Sequence, residues 1–397
     1  MRERYGPESL HVLIAERNTG SFTYDGIELG GERLAQEIED KLDALFSRDG
    51  DGQTTIRKLS VVGYSLGGLI ARYALGLLYM RGWLDRLEPV SFTTFATPHV
   101  GVRSPLKGLQ NHVWNVLGAR TVSVSGRQLF MIDSFRDTGK PLLSVLADRE
   151  SIFVKALERF QCRVAYANVV NDRSAVFYTT AISKIDPFGG DVEGTHFNYV
   201  KGYEPVVVNE DQFVLPESLP ANTTARHMGM GMGMGKVVSK LPVWIFLAVF
   251  IPVGVCLFLL NSVVQTIRSQ QRIRLHEEGK TGILLGSYRS FPLLVQNAVE
   301  DVFENVNASQ EPEYLSQEEG SIQSTGDDKD DKRELLALTP EQFAIIDSLD
   351  AVGFRRFPVY IHNHRHSHAA IIVRMPKKGF EEGKIVVKHW LDTVFTL

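Results

Sequence analysis

Apolar residues in the first hundred positions alternate between short continuous runs and helical spacing. The runs at 10–15, 59–62 and 91–96 have the length and composition of buried strands. The segment 27–46 instead places apolar residues every three to four positions, which is typical of an amphipathic helix, and a second helix is predicted at 69–80. Strands that alternate with helices predict βαβ units and therefore a parallel sheet.

The later part of the chain continues this pattern with strands predicted at 162–170 and 357–361. Thr339 and Gln342 flank Pro340 in the arrangement of a capping box, so a helix is expected to begin there. Further helices are expected at 126–131, 142–160 and 381–395. The whole pattern predicts an α/β fold with a mostly parallel sheet flanked by helices.

Two segments interrupt the pattern. Leu241–Leu260 contains no charged residue and is long enough to cross a bilayer, so it is interpreted as a membrane-associated insertion. Glu311–Glu334 holds nine acidic and three basic residues, which predicts a disordered acidic insertion. The chain is therefore divided into a first core part, a hydrophobic insertion, an acidic linker and a last core part, at 1–200, 201–304, 305–336 and 337–397.

Charge and cysteine content narrow the possible functions. The formal net charge is −4 and no basic stripe precedes Lys236, which argues against a nucleic-acid partner. Cys162 and Cys256 are the only cysteines, one in a predicted strand and one in the apolar run. A disulfide framework is therefore not expected. The protein is instead expected to lie in a reducing compartment.

The strongest chemical signal is the segment Gly63–Gly67, which stands between a predicted strand and a predicted helix. It matches the G-x-S-x-G nucleophile elbow, in which a sharp turn exposes the serine hydroxyl. The two motif glycines are expected to let backbone approach the serine, and Gly68 to permit close helix–strand packing. Ser65 is the predicted nucleophile, and the Leu66 N–H the predicted oxyanion donor. The alternative is a glycine-rich turn with a capping serine.

The acid of such a site is expected after the serine in the chain and just past a strand end. Asp172 meets both conditions, because it follows the strand predicted at 162–170. Asp133 and Asp186 are alternatives, and Asn-Asp is also an ordinary turn pair. His99, which follows another predicted strand, is a lesser candidate for the catalytic base, and a role in supporting the site or the structure is preferred.

Four alternating histidines follow the last predicted strand, namely His362, His364, His366 and His368. If they lay on one face of a strand they could suggest a metal site, but the indication is weak because no cysteine lies nearby. A single catalytic histidine, third in the order Ser, Asp, His, is the favoured interpretation. His368 is preferred because it opens the apolar segment 369–374, with His366 and then His364 as alternatives.

Several of these segments also carry a family resemblance; they are 18–27, 31–35, 63–73, 96–99, 126–130, 168–172 and 368–374. Together they resemble the DUF676 group of fungal serine esterases, which includes lipid-droplet phospholipases. The resemblance implies an α/β-hydrolase fold, hydrolysis of carboxylic esters of lipids, and a triad of Ser65, Asp172 and His368. The family pattern begins with a strand ending in His-Gly that supplies a second oxyanion donor. Nothing before Leu10 matches it, so the chain is expected to be short at its amino end.

The expected function is therefore that of a serine esterase or lipase that needs neither a metal nor an organic cofactor. Its expected partners are a lipid substrate and a membrane or lipid-droplet surface. The expected location is the endoplasmic reticulum or the lipid droplet, with the catalytic domain facing the cytosol. Two alternatives remain, a membrane-tethered interaction module with impaired catalysis and an acyltransferase that uses the same triad.

The position of the apolar run constrains its topology. It lies between Asp172 and His368, so a single bilayer crossing would place these residues on opposite sides of the membrane. A re-entrant hairpin is favoured, since Pro252 interrupts helical hydrogen bonding within the run. A helix buried in an enlarged cap and a true single span are the alternatives.

Overall fold

The computed structural model describes residues 1–47, 56–103, 123–172, 175–188, 195–213, 264, 267–275 and 335–397. The apolar run 241–260 and the acidic segment 311–334 lie outside these ranges, so both predicted insertions stay predictions. Within the described ranges, no helix combines the length and the apolar character needed to cross a membrane.

Among the described residues, four parallel strands form one sheet in chain order. They are β1 Lys58–Tyr64, β2 Glu88–Phe95, β3 Cys162–Asn168 and β4 Arg355–Val359. Because every neighbouring pair is parallel, all four carboxyl ends meet at one edge of the sheet. The predicted α/β fold with a parallel sheet is confirmed.

Helices precede the first strand, follow the last, and occupy each of the three connections that the parallel strands require. They are α1 Ile27–Phe46, α2 Leu66–Met80, α3 Trp83–Arg86, α4 Val124–Leu129, α5 Leu142–Leu146, α6 Ile152–Glu158, α7 Phe177–Thr180, α8 Pro340–Val352, α9 Ser367–Ala370 and α10 Glu382–Thr393. Short 3-10 helices lie at Gly20–Tyr24, Arg136–Thr138 and Lys378–Phe380. The helix predicted at 27–46 matches α1 at both ends, and the capping box predicted at Thr339 is present.

Apolar side chains pack against both faces of the sheet. Phe92 of β2 belongs to a buried cluster with Leu75 of α2 and Ile346 of α8. Phe95 of the same strand belongs to a second cluster with Trp390 of α10. Since successive side chains of a strand point to opposite faces, these clusters lie on the two sides of the sheet. The sheet is therefore the middle of three layers.

The strand predicted at 10–15 is wrong. These residues form no strand, and Leu13 and Ile14 are 37% and 63% exposed. A strand needs a neighbour to pair its backbone N–H and C=O groups. In the described part of the sheet β1 pairs with β2 alone, so the run 10–15 has strand composition without a ladder partner.

The single helix predicted at 142–160 is also wrong, because α5 and α6 are separate helices. Short polar side chains make the break. Asp148 accepts a hydrogen bond from the N–H of Glu150 at 3.1 Å, and Ser151 caps α6 by accepting from the N–H of Val154. Such local side-chain bonds to the backbone compete with helix continuation.

Candidate active site

Ser65 occupies the single residue between β1 and α2. Its backbone has φ 51° and ψ −130°, a conformation that residues with a side chain adopt at a cost. Its N–H donates to the carbonyl of Phe95 at the end of β2, at 2.9 Å. Its side chain makes no cap hydrogen bond to α2, so the interpretation as a capping serine is wrong.

The glycines around Ser65 differ in what they permit. A Cβ on Gly63 would lie 2.4 Å from the Cα of Gly68, and a Cβ on Gly68 would lie 2.2 Å from the Oγ1 of Thr97. A Cβ on Gly67 would meet no described atom within 4 Å. The expectation of close approach is therefore confirmed for Gly63 and Gly68 and is wrong for Gly67.

The imidazole of His368 bridges Ser65 and Asp172. Its Nε2 lies 2.9 Å from the Ser65 Oγ, and its Nδ1 lies 2.9 Å from the Asp172 Oδ2. With Nδ1–H donating to the carboxylate, Nε2 is left as the acceptor for the serine hydroxyl. Asp172 and His368 are 5% and 8% exposed, so water competes little for these bonds.

The carboxyl edge of the sheet brings these three side chains together. Ser65 directly follows β1, Asp172 follows β3 by four residues, and His368 lies in the short helix α9 after β4. Parallel strands place all three ends at the same edge, although 303 positions separate the serine and the histidine in the chain. The packing of distant elements, and not local structure, therefore brings these residues together.

Asp172 is held in place by hydrogen bonds from its own turn. Its Oδ1 accepts from the N–H of Ala175, and its Oδ2 accepts from the Nδ2 of Asn168, both at 2.8 Å. Asn168 stands in the segment whose residues resemble the esterase family, but its bond to the carboxylate was not predicted. These bonds fix the carboxylate facing the His368 ring.

Leu66 is the first residue of α2. The N–H at the start of a helix has no intrahelical acceptor, and the helix dipole favours negative charge there. Leu66 lies beside Ser65, and the role of its N–H as an oxyanion donor stays a prediction.

The alternative acids have other partners. Asp133 accepts from the N–H of Leu142 at the start of α5, and Asp186 accepts from the N–H of Phe188. Burial raises the pKa of Asp133, and it raises that of Asp186 to about 6. Neither carboxylate is hydrogen-bonded to His368.

His99 is fully buried, and its ring lies between Arg72 and Thr94. Its Nε2 is 3.0 Å from the Thr94 Oγ1, and its Nδ1 is 3.4 Å from a nitrogen of the Arg72 guanidinium. Burial, reinforced by the Arg72 charge, holds the pKa of His99 well below its usual value. A neutral ring held in this way agrees with the structural role predicted for it.

The other three histidines do not form a metal site. Across the described part of the chain, no group of three or more His, Cys, Asp or Glu side chains could hold a metal ion. His364 packs its ring edge-on against Phe380 and accepts from the N–H of His366. His362 faces Glu382, with 3.3 Å between the Nδ1 and a carboxylate oxygen.

Sequence reasoning missed the side chain that joins the nucleophile to the histidine segment. The Tyr64 hydroxyl donates to the carbonyl of His368 at 3.1 Å, and the two rings are 5.2 Å apart. Tyr64 is the variable residue before the serine of the elbow motif, so the motif contains no signal for this contact.

A cavity of about 620 Å³ lies at the opposite edge of the sheet, beside the first residues of β1 and β2. Its lining includes Arg57, Glu88 and Arg159 but none of the three bridged residues. The chemistry of Ser65 is therefore separate from this cavity.

Comparisons with known proteins each cover about half of the chain. Residues 2–185 match the family model described as "Putative serine esterase (DUF676)", which confirms the resemblance predicted from the sequence. "Putative lipase ROG1" and "Putative lipase YDL109C" of Saccharomyces cerevisiae are each 30% identical to it, over 45% of this chain. "Putative lipase C4A8.10" of Schizosaccharomyces pombe is 26% identical over 52% of this chain.

These matches cover only a part of the relatives. The chain spans 24%, 26% and 27% of the length of the three proteins. No solved structure has significant similarity to the chain.

Proposed function

From this family match and the geometry at Ser65, we propose that the chain is a serine esterase that hydrolyses carboxylic esters of lipids. The observation that carries the proposal is the continuous hydrogen-bonded series from Ser65 through His368 to Asp172. Such a series lets the imidazole remove the serine proton while the carboxylate stabilises the resulting imidazolium.

In the proposed reaction His368 Nε2 takes the hydroxyl proton as Ser65 Oγ forms a bond to the ester carbonyl carbon. The Leu66 N–H donates to the developing oxyanion. Collapse of the tetrahedral intermediate breaks the carbon–oxygen bond to the alcohol, which receives the proton from His368. Water, deprotonated by the same nitrogen, then attacks the acyl-enzyme and releases the carboxylic acid and free Ser65.

The lipid class of the substrate and the lipid surface belong to the same proposal. The names of the yeast relatives contain the word lipase, and the apolar run 241–260 would bring the chain to a bilayer or a lipid-droplet surface. We place the protein at the endoplasmic reticulum or the lipid droplet with the catalytic residues on the cytosolic side. Triacylglycerol and phospholipid emulsions, each assayed for released fatty acid, distinguish the two substrate groups.

Replacing the nucleophile tests the reaction. In Ser65→Ala, hydrolysis of p-nitrophenyl butyrate is expected to fall by a factor of about 10⁴ to 10⁶, because no other group can form the acyl-enzyme. Labelling by a fluorophosphonate probe is expected to disappear as well. The control is Ser47→Ala, an exposed serine after α1, with circular dichroism to verify folding.

Undiminished turnover in a folded Ser65→Ala variant would contradict the proposed nucleophile. Absence of labelling and turnover in the wild-type chain would favour the non-catalytic interaction module. Transfer of the acyl group to an added alcohol at the expense of free acid would favour the acyltransferase.

A further inference from the structure

The segment between β4 and α9 carries the candidate histidine, and a single buried carboxylate holds its first part. Glu382, at the start of α10, is 8% exposed. Its Oε2 accepts from the N–H groups of His362 and Asn363, at 2.8 and 2.9 Å. Hydrogen bonds to an ionised acceptor are about twice as strong as those between neutral groups. Glu382 therefore anchors the backbone at residues 362 and 363, where the segment leaves β4.

The residue after Glu382 contacts the other side of the histidine. A Cβ on Gly383 would lie only 1.9 Å from the carbonyl oxygen of Ala370, the last residue of α9. The first turn of α10 thus lies directly against the helix that contains His368. One turn of one helix holds the chain on both sides of the imidazole.

Two further contacts anchor the histidine segment to the sheet edge. The Ser367 hydroxyl donates to the carbonyl of Val170 at 2.8 Å, and the Tyr64 hydroxyl donates to the carbonyl of His368. These contacts fix the segment near Asp172 and Ser65. Glu382 fixes the end of the segment that leaves β4, which neither hydroxyl reaches.

We infer that Glu382 is a positioning residue for His368, acting through the backbone of residues 362 and 363. The inference rests on the proposed esterase function. The imidazole must stay within hydrogen-bond distance of two groups at once, and a displacement of about 1 Å can lower a rate about 100-fold. Loss of Glu382 should therefore slow the chemical step and leave substrate binding unchanged.

The geometry separates the hydrogen-bonding role of Glu382 from its charge. Both N–H groups donate to the same carboxylate oxygen, Oε2, while Oε1 faces the His362 ring. A glutamine places one amide oxygen where Oε2 lies and so accepts both bonds without the charge. An aspartate keeps the charge but is one methylene shorter, which pulls the acceptor away from the backbone.

The test measures kcat and KM of the full chain on p-nitrophenyl butyrate. Glu382→Ala is expected to lower kcat about 10- to 100-fold at unchanged KM. Glu382→Asp should lower it less, and Glu382→Gln should stay within about 3-fold of the wild type. The low-field NMR signal of the proton between His368 and Asp172 should weaken in the alanine variant and persist in the glutamine variant. The matched control is Glu381→Ala, the neighbouring glutamate, whose exposed side chain pairs with Lys384.

A folded Glu382→Ala variant with wild-type kcat would overturn the inference, and so would a glutamine variant as slow as the alanine variant. If Glu382→Ala does not fold, Glu382→Asp decides, since wild-type kcat in that folded variant would also overturn it. The proposed esterase function is tested by a different variant, and it is contradicted if Ser65→Ala retains activity. An inactive Ser65→Ala beside a fully active Glu382→Ala refutes only the positioning role.

Discussion

At the scale of single residues, Ser65 is held in an uncommon backbone conformation by the elements that meet around it. Its N–H is bonded to the end of β2, and the glycine at position 63 lets α2 begin directly beneath it. Strained residues persist only where surrounding contacts determine them. The close contact between Gly68 and Thr97 is one of these contacts. Gly68 therefore has no space for a Cβ, whereas its neighbour Gly67 does among the described residues.

Substitution of these glycines by alanine should shift stability in opposite directions. Gly68→Ala should lower the free energy of unfolding by about 1–3 kcal/mol, because its methyl group overlaps Thr97. Gly67→Ala should raise it by about 0.4–1 kcal/mol, because helical alanine loses less entropy on folding and the described surroundings leave space. Urea denaturation of both variants measures the difference. Equal effects would show that the packing of Gly68 against Thr97 does not matter.

At the scale of elements, α8 shows how a local signal acquires a tertiary role. Thr339 and Gln342 form the capping box, each side chain bonded to the backbone of the other. Gln342 is 1% exposed, and the two hydrogens of its Nε2 are shared among the carbonyls of Val100 and Arg103 and the Tyr178 hydroxyl, which lie 3.3, 3.2 and 3.1 Å away. The cap of α8 therefore also ties this helix to the loop after β2.

Two alanine variants separate the contribution of the local cap to stability from that of the tertiary hydrogen bonds of Gln342. Thr339→Ala should cost about 1 kcal/mol of unfolding free energy, the usual value for a helix cap. Gln342→Ala should cost more, about 2–4 kcal/mol, because it also removes the buried amide that donates to the carbonyls of the loop after β2. Chemical denaturation measures both. A Thr339→Ala loss as large as the Gln342→Ala loss would argue that Gln342 acts only as a cap.

A buried histidine of α10, His389, makes the stability of the fold depend on pH. His389 is 1% exposed, and its Nδ1 lies 2.7 Å from the Tyr166 hydroxyl. Burial is the main cause that lowers the pKa of His389 to about 4, so the folded chain keeps the ring neutral. Below its ordinary value of 6.5, protons bind the unfolded chain preferentially, and stability is lost as the pH falls from 6.5 to 4.

His389→Gln should remove part of this acid dependence. The loss of unfolding free energy between pH 7 and pH 4.5 is expected to be smaller in the variant, by on the order of 2 kcal/mol. Denaturation curves at both pH values, for wild type and variant, provide the measurement. The exposed His196→Gln serves as control, and an unchanged pH slope in His389→Gln would refute the assignment.

At the scale of the whole molecule, a buried ion pair fastens residues 267–275 to the start of α1. The Arg272 Nε donates to the Asp25 carboxylate at 2.8 Å, with both side chains almost fully buried. Upstream of the apolar run, the N–H of Val208 donates to the carbonyl of Pro358 in β4. The chain therefore lies on the same folded body before residue 214 and again at residue 267.

This arrangement supports the proposal that the apolar run enters and leaves a membrane on the same face. Epitope tags inserted at Arg226 and at Ser324 flank the run, and both should be cleaved when protease is added outside intact microsomes. A luminal tag on a known protein, cleaved only after detergent, controls for membrane integrity. Protection of one tag alone would indicate a single crossing and contradict the proposed topology.

The sequence by itself determined those features that depend on near neighbours. The elbow at Ser65, the helix 27–46 and the capping box at Thr339 each follow from steric and hydrogen-bonding preferences within a few residues. The parallel arrangement also follows, because strands that alternate with helices can pair in few other ways. These predictions needed no knowledge of distant parts of the chain.

Only the tertiary structure decided which distant groups meet. Of the histidines after β4, it is the ring of His368 that bridges Ser65 and Asp172, and Glu382 holds the segment that delivers it. The run 10–15 has strand composition, yet it pairs with none of the strands in the described part of the chain. A hydrogen bond needs its two atoms placed to within a fraction of an ångström, and between residues hundreds of positions apart that placement comes from the packing of whole elements.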